Sequence, residues 1–324
     1  MTKFTFIYSD ITDPYFNIAS EEYLLKQTDG YYIYLWRNSP AVILGVNQNA
    51  LAEVNLNYTE SNGIKVVRRL TGGGAVYHDL NNLCYTVIAP FDEEVDNYKR
   101  FTKPVIDYLT SMGVKAEFSG RNDITIDGKK ISGNAQTVYN GRIMHHGTLL
   151  FKTDINALDG ALKPNKLKIQ SKGIKSIRAR VTNIYDHLIE KISPTEFIEG
   201  LKNYLKKDCE VKEFSKGDIE NINLLVKNKY STYEWNIGNS PKGQNAFEYK
   251  FDFGVFRLDF DTENGLVKNA KITGDFFTLK DIDLFATTLN GKAFDRANML
   301  KAFESIGFYI NGAKGEEIVD RLFS

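Results

Sequence analysis

Two arginines, Arg68 and Arg69, lead through Leu70 and Thr71 into three consecutive glycines, Gly72, Gly73 and Gly74. A short β-like run from Lys65 to Val67 delivers them, and a second apolar run ends at His78 and Asp79. Glycines between strand signals lose backbone entropy on folding, so such a run needs a reason. One reason is a plain glycine-rich turn. The other is an anion lying on the main chain, with N–H groups turned toward it and Arg68 or Arg69 offering a fork of donors. The flanking Arg-Arg and His-Asp favour the anion.

Further candidates follow. Asp123, after Asn122, could hold a magnesium ion together with substrate phosphates, or the pair could form an Asx turn. Lys130 lies beyond the turn Asp127-Gly128 and just before Ser132-Gly133, small residues that let a ligand approach. Taken alone, a lysine after a hairpin turn reads as a solvated face, and Lys129 beside it points to the other side. His78, His145 and His146 are three of the four histidines, which suggests a general base or metal ligand. Adjacent His145 and His146 diverge in a strand, however, and a satisfied core histidine fits at least one of them. Cys84, between Leu83 and Tyr85, reads as a small buried hydrophobe.

Composition bounds the rest. A chain of 324 residues suits one large domain and a smaller one. Lysine plus arginine equals aspartate plus glutamate, 41 each, so there is no electrostatic signature for bulk nucleic-acid binding. The basic stretch from Lys163 to Lys175 reads instead as a contact to a small anion or acidic partner. Only two cysteines occur, Cys84 and Cys209, which argues against a disulfide framework and suits a reducing compartment. Cys-x-x-Cys and His-Glu-x-x-His patterns are missing. The first ten residues lack an apolar signal core, and no window approaches a membrane span of roughly 20 apolar residues. The expectation is a soluble, cytoplasmic protein.

These residues need elements to position them. Asp13-Pro14 opens a helix as N-cap and first-turn proline, and Phe16, Ala19, Tyr23 and Leu24 carry it to about Lys26. Strands are expected over Tyr31–Trp36, Ala41–Val46, Lys65–Val67 and Leu83–Ile88. A helix covers Asn97–Ser111, with Pro104 either kinking it or marking its start. Ile124–Ile126, the Asp127-Gly128 turn, Lys130–Val138, the Asn140-Gly141 turn and Arg142–Phe151 read as an antiparallel meander. Residues 160–185 are basic and aperiodic, and read as a mobile or ligand-ordered loop. A helix begins at Ser193-Pro194 and runs to about Lys206. After a polar connection at 237–245, strands at Phe247–Phe253, Val255–Phe260 and Gly265–Thr273 and helices at Lys280–Leu289 and Asp295–Ile306 make an α+β module able to fold alone.

Five blocks in order resemble the lipoate–protein ligase family. Arg68 to Asp79 is similar to its Arg-Arg-x-(Ser/Thr)-Gly-Gly-Gly-Ala-Val-(Phe/Tyr)-His-Asp segment. Ser119 to Ile124 resembles its second block, Lys129 to Ala135 its catalytic-lysine block, and His145 to Leu150 its fourth. Lys172 to Asn183 resembles its adenylate-binding loop, and Tyr233-Glu234-Trp235-Asn236 extends the likeness. The resemblance implies an α/β catalytic domain over 1–238, a mixed, largely antiparallel sheet flanked by helices and like that of biotin and lipoate ligases. A small α+β accessory domain would cover 246–324 and rotate between steps.

The implied activity is ATP-dependent lipoylation through lipoyl-AMP, with ATP and lipoate as substrates, magnesium as helper and no tightly bound prosthetic group. The lysine before Ile-Ser-Gly, Lys130, would be catalytic, touching both the acyl carboxyl and the α-phosphate. Arg69, Gly74, Ala75, Val76, Tyr77, Lys130, Arg178 and Arg180 would bind ATP or the adenylate, and Asp123 the magnesium. Trp36, Arg69, Gly72, Gly73, His78, Lys130 and His146 would bind lipoate, with Ile18, Ala19 and Val76 lining the acyl slot. Residues 160–185, with Arg178 and Arg180, would close over the adenylate and exclude water. Expected partners are the lipoyl carrier domains of 2-oxoacid dehydrogenase complexes and the glycine cleavage H protein, with no nucleic acid and no membrane, and the protein acting as a monomer. Competing readings are an ATP-independent octanoyl or lipoyl transferase of the same superfamily, a biotin ligase, and a non-catalytic carrier-binding protein. The Gly-Arg-Gly-rich loop of biotin ligases is missing here, and no motif is visibly broken.

Overall fold

The helix Pro14–Leu25 starts where the Asp13 side chain accepts the backbone N–H groups of Tyr15 and Phe16, satisfying donors that the first turn leaves open. Nearly all of it is buried, because it lies across one face of a large sheet and packs Phe16, Ile18 and Leu24 against Tyr34, Trp36, Cys84 and Met144. The computed structural model describes residues 3–162, 180–238, 245–263 and 265–323.

In chain order the strands are β1 (Thr5–Tyr8), β2 (Tyr32–Arg37), β3 (Ala41–Leu44), β4 (Lys65–Arg68), β5 (Val76–His78), β6 (Asn82–Pro90), β7 (Glu117–Ser119), β8 (Asp123–Ile126), β9 (Lys129–Tyr139), β10 (Arg142–Leu150), β11 (Glu210–Lys212), β12 (Asn245–Phe251), β13 (Gly254–Glu263) and β14 (Leu266–Gly274). Among the described residues, eight of them form one sheet in the order β11-β1-β2-β6-β10-β9-β8-β7. β1 runs parallel to β11 and β2; the other neighbours are antiparallel. This is the mixed, largely antiparallel α/β fold expected. The meander turns form as the sequence indicates: Asp127 and Gly128, and Asn140 and Gly141, all have positive φ, which type I′ hairpins require.

The opposite face of the sheet is covered by the helices Asn97–Ser111 and Pro194–Leu205, whose Phe101, Val105, Leu109, Phe197 and Leu201 pack on Tyr85, Ile143 and Leu149. Each such side chain contributes about 1.5–3 kcal/mol by leaving water. A smaller sheet, β4-β3-β5, holds the glycine segment between β4 and β5. The third sheet, β12-β13-β14, packs Phe256, Leu258 and Ile272 on the helices Ile282–Leu289, Arg296–Phe303 and Gly315–Leu322.

Some boundaries differ from expectation. Pro104 neither starts nor ends its helix, which is continuous from Asn97 to Ser111. Pro104 is exposed, so water can take the carbonyl it leaves unbonded. Phe253 is not in a strand but in the tight turn joining β12 to β13, its ring stacked at 5.0 Å on Phe251. The helix Lys216–Leu225 and the strand β11 escaped the sequence reading, although the Ser215/Asp218 capping box marks the helix start. Most of the expected 160–185 loop, residues 163–179, lies outside the described residues.

Candidate active site

β9 carries Lys130 to a cavity of about 230 Å³ that Gly73 and Gly74 also line. The β8–β9 register shifts between Ile124 and Thr125, so that Ile124 faces Ser132 and Thr125 faces Lys130. Such a bulge re-aims the side chains beside it. Lys129 is exposed, whereas Lys130 is partly buried with Nζ 2.7 Å from Asp123 Oδ1. Gly133 makes room for it: a Cβ there would stand 2.7 Å from the ammonium. The segment around Thr182 borders the lysine, its N–H donating to the Lys130 carbonyl at 3.0 Å.

The glycine segment is built around Arg69. Its Nη2 donates to the carbonyls of Gly72 (2.6 Å) and Gly74 (3.0 Å), Nη1 to Ile43 (3.0 Å), and Nε to the Thr71 hydroxyl (2.8 Å). Burial pushes its pKa down to about 10, with the nearby Glu21 carboxylate acting in the opposite sense. Arg69 therefore holds the loop's carbonyls from beneath while lining the cavity. Arg68, the other candidate fork, is turned elsewhere. Its guanidinium donates to the carbonyls of Gly45, Val46, Gln48, Trp235 and Asn236, fixing the chain after β3 to the Trp235-Asn236 segment. Gly45, near the end of the strand expected over Ala41–Val46, lies past the end of β3, where any Cβ would meet the Gly73 carbonyl at 2.1 Å.

Ile18, Trp36, Ile43, Val76, His78 and Cys84 form the apolar inner end of the cavity. Trp36 and Cys84 are cross-strand partners on β2 and β6, both at most 2% exposed. Burial pushes the His78 pKa down to about 3, with Arg69 and His146 nearby adding to the effect, and raises the Cys84 thiol well above its ordinary value. The slot is therefore uncharged at neutral pH, and Cys84 is a thiol with no thiolate character. The sequence reading took Cys84 as a small buried hydrophobe; it is buried, and it also lines the cavity. His146 has Nδ1 2.8 Å from Glu21 Oε1 and Nε2 2.8 Å from the Thr71 hydroxyl. His145 points to the other face, where it packs among Tyr85, Tyr98 and Phe101.

The mouth is polar, with Arg121, Asn122, Asp123, Lys130, Arg180, Lys250 and Asp275. Among the expected residues, Trp36, Arg69, Gly73, Gly74, Ala75, Val76, His78, Asp123, Lys130, His146 and Arg180 all line this one cavity. Gly72 does not: a Cβ on it would stand 2.3 Å from the Phe276 carbonyl, so it packs under the C-terminal module. The Tyr77 side chain is also turned away, into a cluster with Val42 and Leu44, because alternate residues of β5 face opposite sides. Arg178 lies outside the described residues. Ile43, Arg121, Lys250 and Asp275 were missed. Arg121 stands inside a motif block and could have been found; it donates to the Phe253 carbonyl at 2.6 Å and lies 4.6 Å over the Phe277 ring. Lys250 and Asp275 come from the C-terminal module and carry no local signal.

Among the described residues no group of three or more His, Cys, Asp or Glu side chains is arranged to hold a metal ion. A lone carboxylate such as Asp123 fits only an ion whose other ligands are phosphate oxygens and water.

A glycine loop and a lysine facing each other over an apolar slot, on this mixed sheet, define a catalytic domain of the lipoyl-ligase class. Residues 13–206 match the family model for the lipoyl protein ligase A/B catalytic domain, and residues 240–322 that for the bacterial lipoate protein ligase C-terminus. The chain is 41% identical to lipoate-protein ligase LplJ of Bacillus subtilis, covering 97% of this chain and 98% of that one. It is 40% identical to lipoate–protein ligase 1 of Staphylococcus aureus, covering 93% of each. Its fold is similar to P. falciparum LipL1 in complex with lipoate, with a TM-score of 0.80 and 26% identity over 98% of this chain and 97% of that one. It is also similar to a lipoate-protein ligase A bound with ATP, with a TM-score of 0.62 and 28% identity over 74% and 99% of the two chains. The chain belongs to the lipoate–protein ligase family.

Proposed function

We propose that this protein activates free lipoate with ATP and passes the lipoyl group from lipoyl-AMP to a lysine of a carrier protein. One observation carries the reading: Lys130 and Gly73-Gly74 face one cavity that is apolar inside and cationic at its mouth. The hydrocarbon chain lies along Trp36, Val76, His78 and Cys84, which leaves the carboxylate at Lys130. A carboxylate oxygen attacks the α-phosphorus, the bond to the β-phosphate oxygen breaks, and pyrophosphate departs. Charge on the α-phosphate oxygens is met by Lys130, by Arg180, and by main-chain N–H groups from Gly74 through Tyr77. The Tyr77 contribution is therefore through its backbone. Arg69 acts by fixing the loop, and Arg178 joins Arg180 in closing over the adenylate. Asp123, released by Lys130, would help hold magnesium, which supplies charge neutralisation at the phosphates.

The carrier's neutral amine then attacks the lipoyl carbonyl, AMP leaves with the bonding electrons of the anhydride oxygen, and the amine loses its proton. An acyl adenylate is already reactive, so positioning suffices for this step. We assign the catalytic unit to 1–238 and an accessory unit to 246–324, which turns between the half-reactions. A bi-partite lipoate protein ligase from Thermoplasma acidophilum, described with its E2 lipoyl domain, is similar to this fold with a TM-score of 0.65 and 28% identity over 76% of this chain and all of that one. That likeness supports lipoyl domains of 2-oxoacid dehydrogenase complexes as acceptors, and the glycine cleavage H protein offers the same chemistry. Among the described residues no helix is long and apolar enough to cross a membrane; we place the enzyme in the cytoplasm as a monomer.

The test is pyrophosphate release on adding free lipoate and ATP, followed by mass spectrometry of a purified lipoyl domain. Transfer between carriers without ATP, and no pyrophosphate, would hand the case to the transferase reading. Cys84 argues against a cysteine-based transferase, since burial disfavours its thiolate.

A further inference from the structure

Two chains of buried donors end on the same carboxylate. One begins at the glycine segment: Arg69 Nε donates to Thr71 Oγ1 (2.8 Å), the Thr71 hydroxyl meets His146 Nε2 (2.8 Å), and His146 Nδ1 meets Glu21 Oε1 (2.8 Å) and Oε2 (3.0 Å). The other begins at the wall of the slot: Trp36 Nε1 donates to Thr86 Oγ1 (3.0 Å), and the Thr86 hydroxyl donates to Glu21 Oε1 (2.6 Å). A carboxylate only accepts, so His146 Nδ1 carries the proton that faces Glu21. Both chains run toward Glu21, whose two oxygens receive His146 Nδ1 and whose Oε1 also accepts from Thr86. Arg69, Thr71, Thr86, Glu21 and Trp36 are at most 5% exposed, and His146 is 9% exposed, so water does not compete for these bonds. Glu21 is also the carboxylate that answers the buried Arg69 charge across the relay.

We infer that Glu21 is a positioning residue that couples the acyl slot to the glycine segment, because the slot wall and the loop share it as terminal acceptor. The inference rests on the ATP and lipoate reading above. A chain seated against Trp36 and His146 fixes the rotamers that orient Glu21, and through Thr71 the same bonds hold Arg69 under the carbonyls of Gly72 and Gly74. Filling the slot therefore prearranges the loop for the nucleotide. A merely structural Glu21 would affect stability without linking the two ligands.

The experiment is calorimetric titration of the full chain with lipoate, with an ATP analogue that cannot be cleaved between its α- and β-phosphorus atoms, and with each in the presence of the other. The wild type should show each ligand tightening the other by about tenfold, within the usual range of such couplings. In Glu21→Gln and in Thr71→Val, both checked for cooperative melting, the factor should fall below about twofold. Thr71→Val cuts only the loop branch and decides the matter if Glu21→Gln does not fold. A folded variant of either kind that keeps the tenfold coupling overturns the inference, as does a wild type that binds both ligands independently. A wild type that binds neither ligand would instead remove the ligase reading, and the relay's role with it.

Discussion

Replacing Lys130 with methionine keeps an unbranched side chain one atom shorter and removes its charge, and the structure separates what this should do to stability from what it should do to chemistry. In the free protein the ammonium is paired with Asp123 at 2.7 Å, but the two side chains are 31% and 35% exposed. Pairs that open to solvent are worth about 0–1 kcal/mol, so the melting temperature should shift by less than about 4 °C. Removing a preorganised donor from transition-state charge costs about 2.7–4 kcal/mol, or 10²–10³ in rate. Lipoate-dependent pyrophosphate release by Lys130→Met should therefore fall by about two to three orders of magnitude, while thermal melts nearly superimpose on wild type. Binding of lipoate without nucleotide should change less, because the apolar slot is untouched and only the contact to the carboxylate is lost. Pyrophosphate release within about fivefold of wild type would refute the assignment, since no part of the expected electrostatic loss would then be seen. A collapse of the melting temperature would refute the other half, by showing that Lys130 holds the fold.

Gly72→Ala should lower the melting temperature, since its Cβ would stand 2.3 Å from the Phe276 carbonyl; forcing such overlap costs about 1–3 kcal/mol, readable by urea unfolding. Cys84→Leu should raise KM for lipoate and leave KM for ATP unchanged in steady-state assays, because residue 84 lines the apolar end of the cavity. Equal effects on both substrates would contradict that placement. Burial depresses the pKa of both His78 and His145 to about 3, so the unfolded chain takes up their protons first as pH falls below about 6.5. Their contribution to stability is present above that pH and is lost toward pH 3, with a slope of up to about 2.7 kcal/mol per pH unit for the two together. Urea midpoints of wild type and His145→Phe between pH 7.5 and 4.5 should show the variant with about half the slope; an unchanged slope would exclude His145 as a source.

What was legible in the sequence was local. The Asp13-Pro14 helix start, the Asp127-Gly128 and Asn140-Gly141 turns and the Ser193-Pro194 helix start are each decided by side chains bonding backbone a few residues away, or by residues that accept positive φ. The Arg-Arg/triple-glycine segment and Lys130 before Ile-Ser-Gly were also visible as composition at fixed spacing. Other features came only from elements far apart in the chain. Adjacent Arg68 and Arg69 look equivalent in sequence, yet one pins Trp235 and Asn236 and the other supports the glycine loop, because β4 ends between two different neighbours. Gly45 must be glycine for the Gly73 carbonyl to approach, and Gly72 for that of Phe276. Cys84 became part of the slot through its pairing with Trp36, and Lys250 and Asp275 reached the mouth through the C-terminal sheet. Sequence by itself determined the segments and the chemical groups they carry, because turn and cap energies are settled within a few bonds. Tertiary structure alone decided which groups share a cavity, because strand register and the packing of one module on another depend on contacts that no short stretch of chain contains.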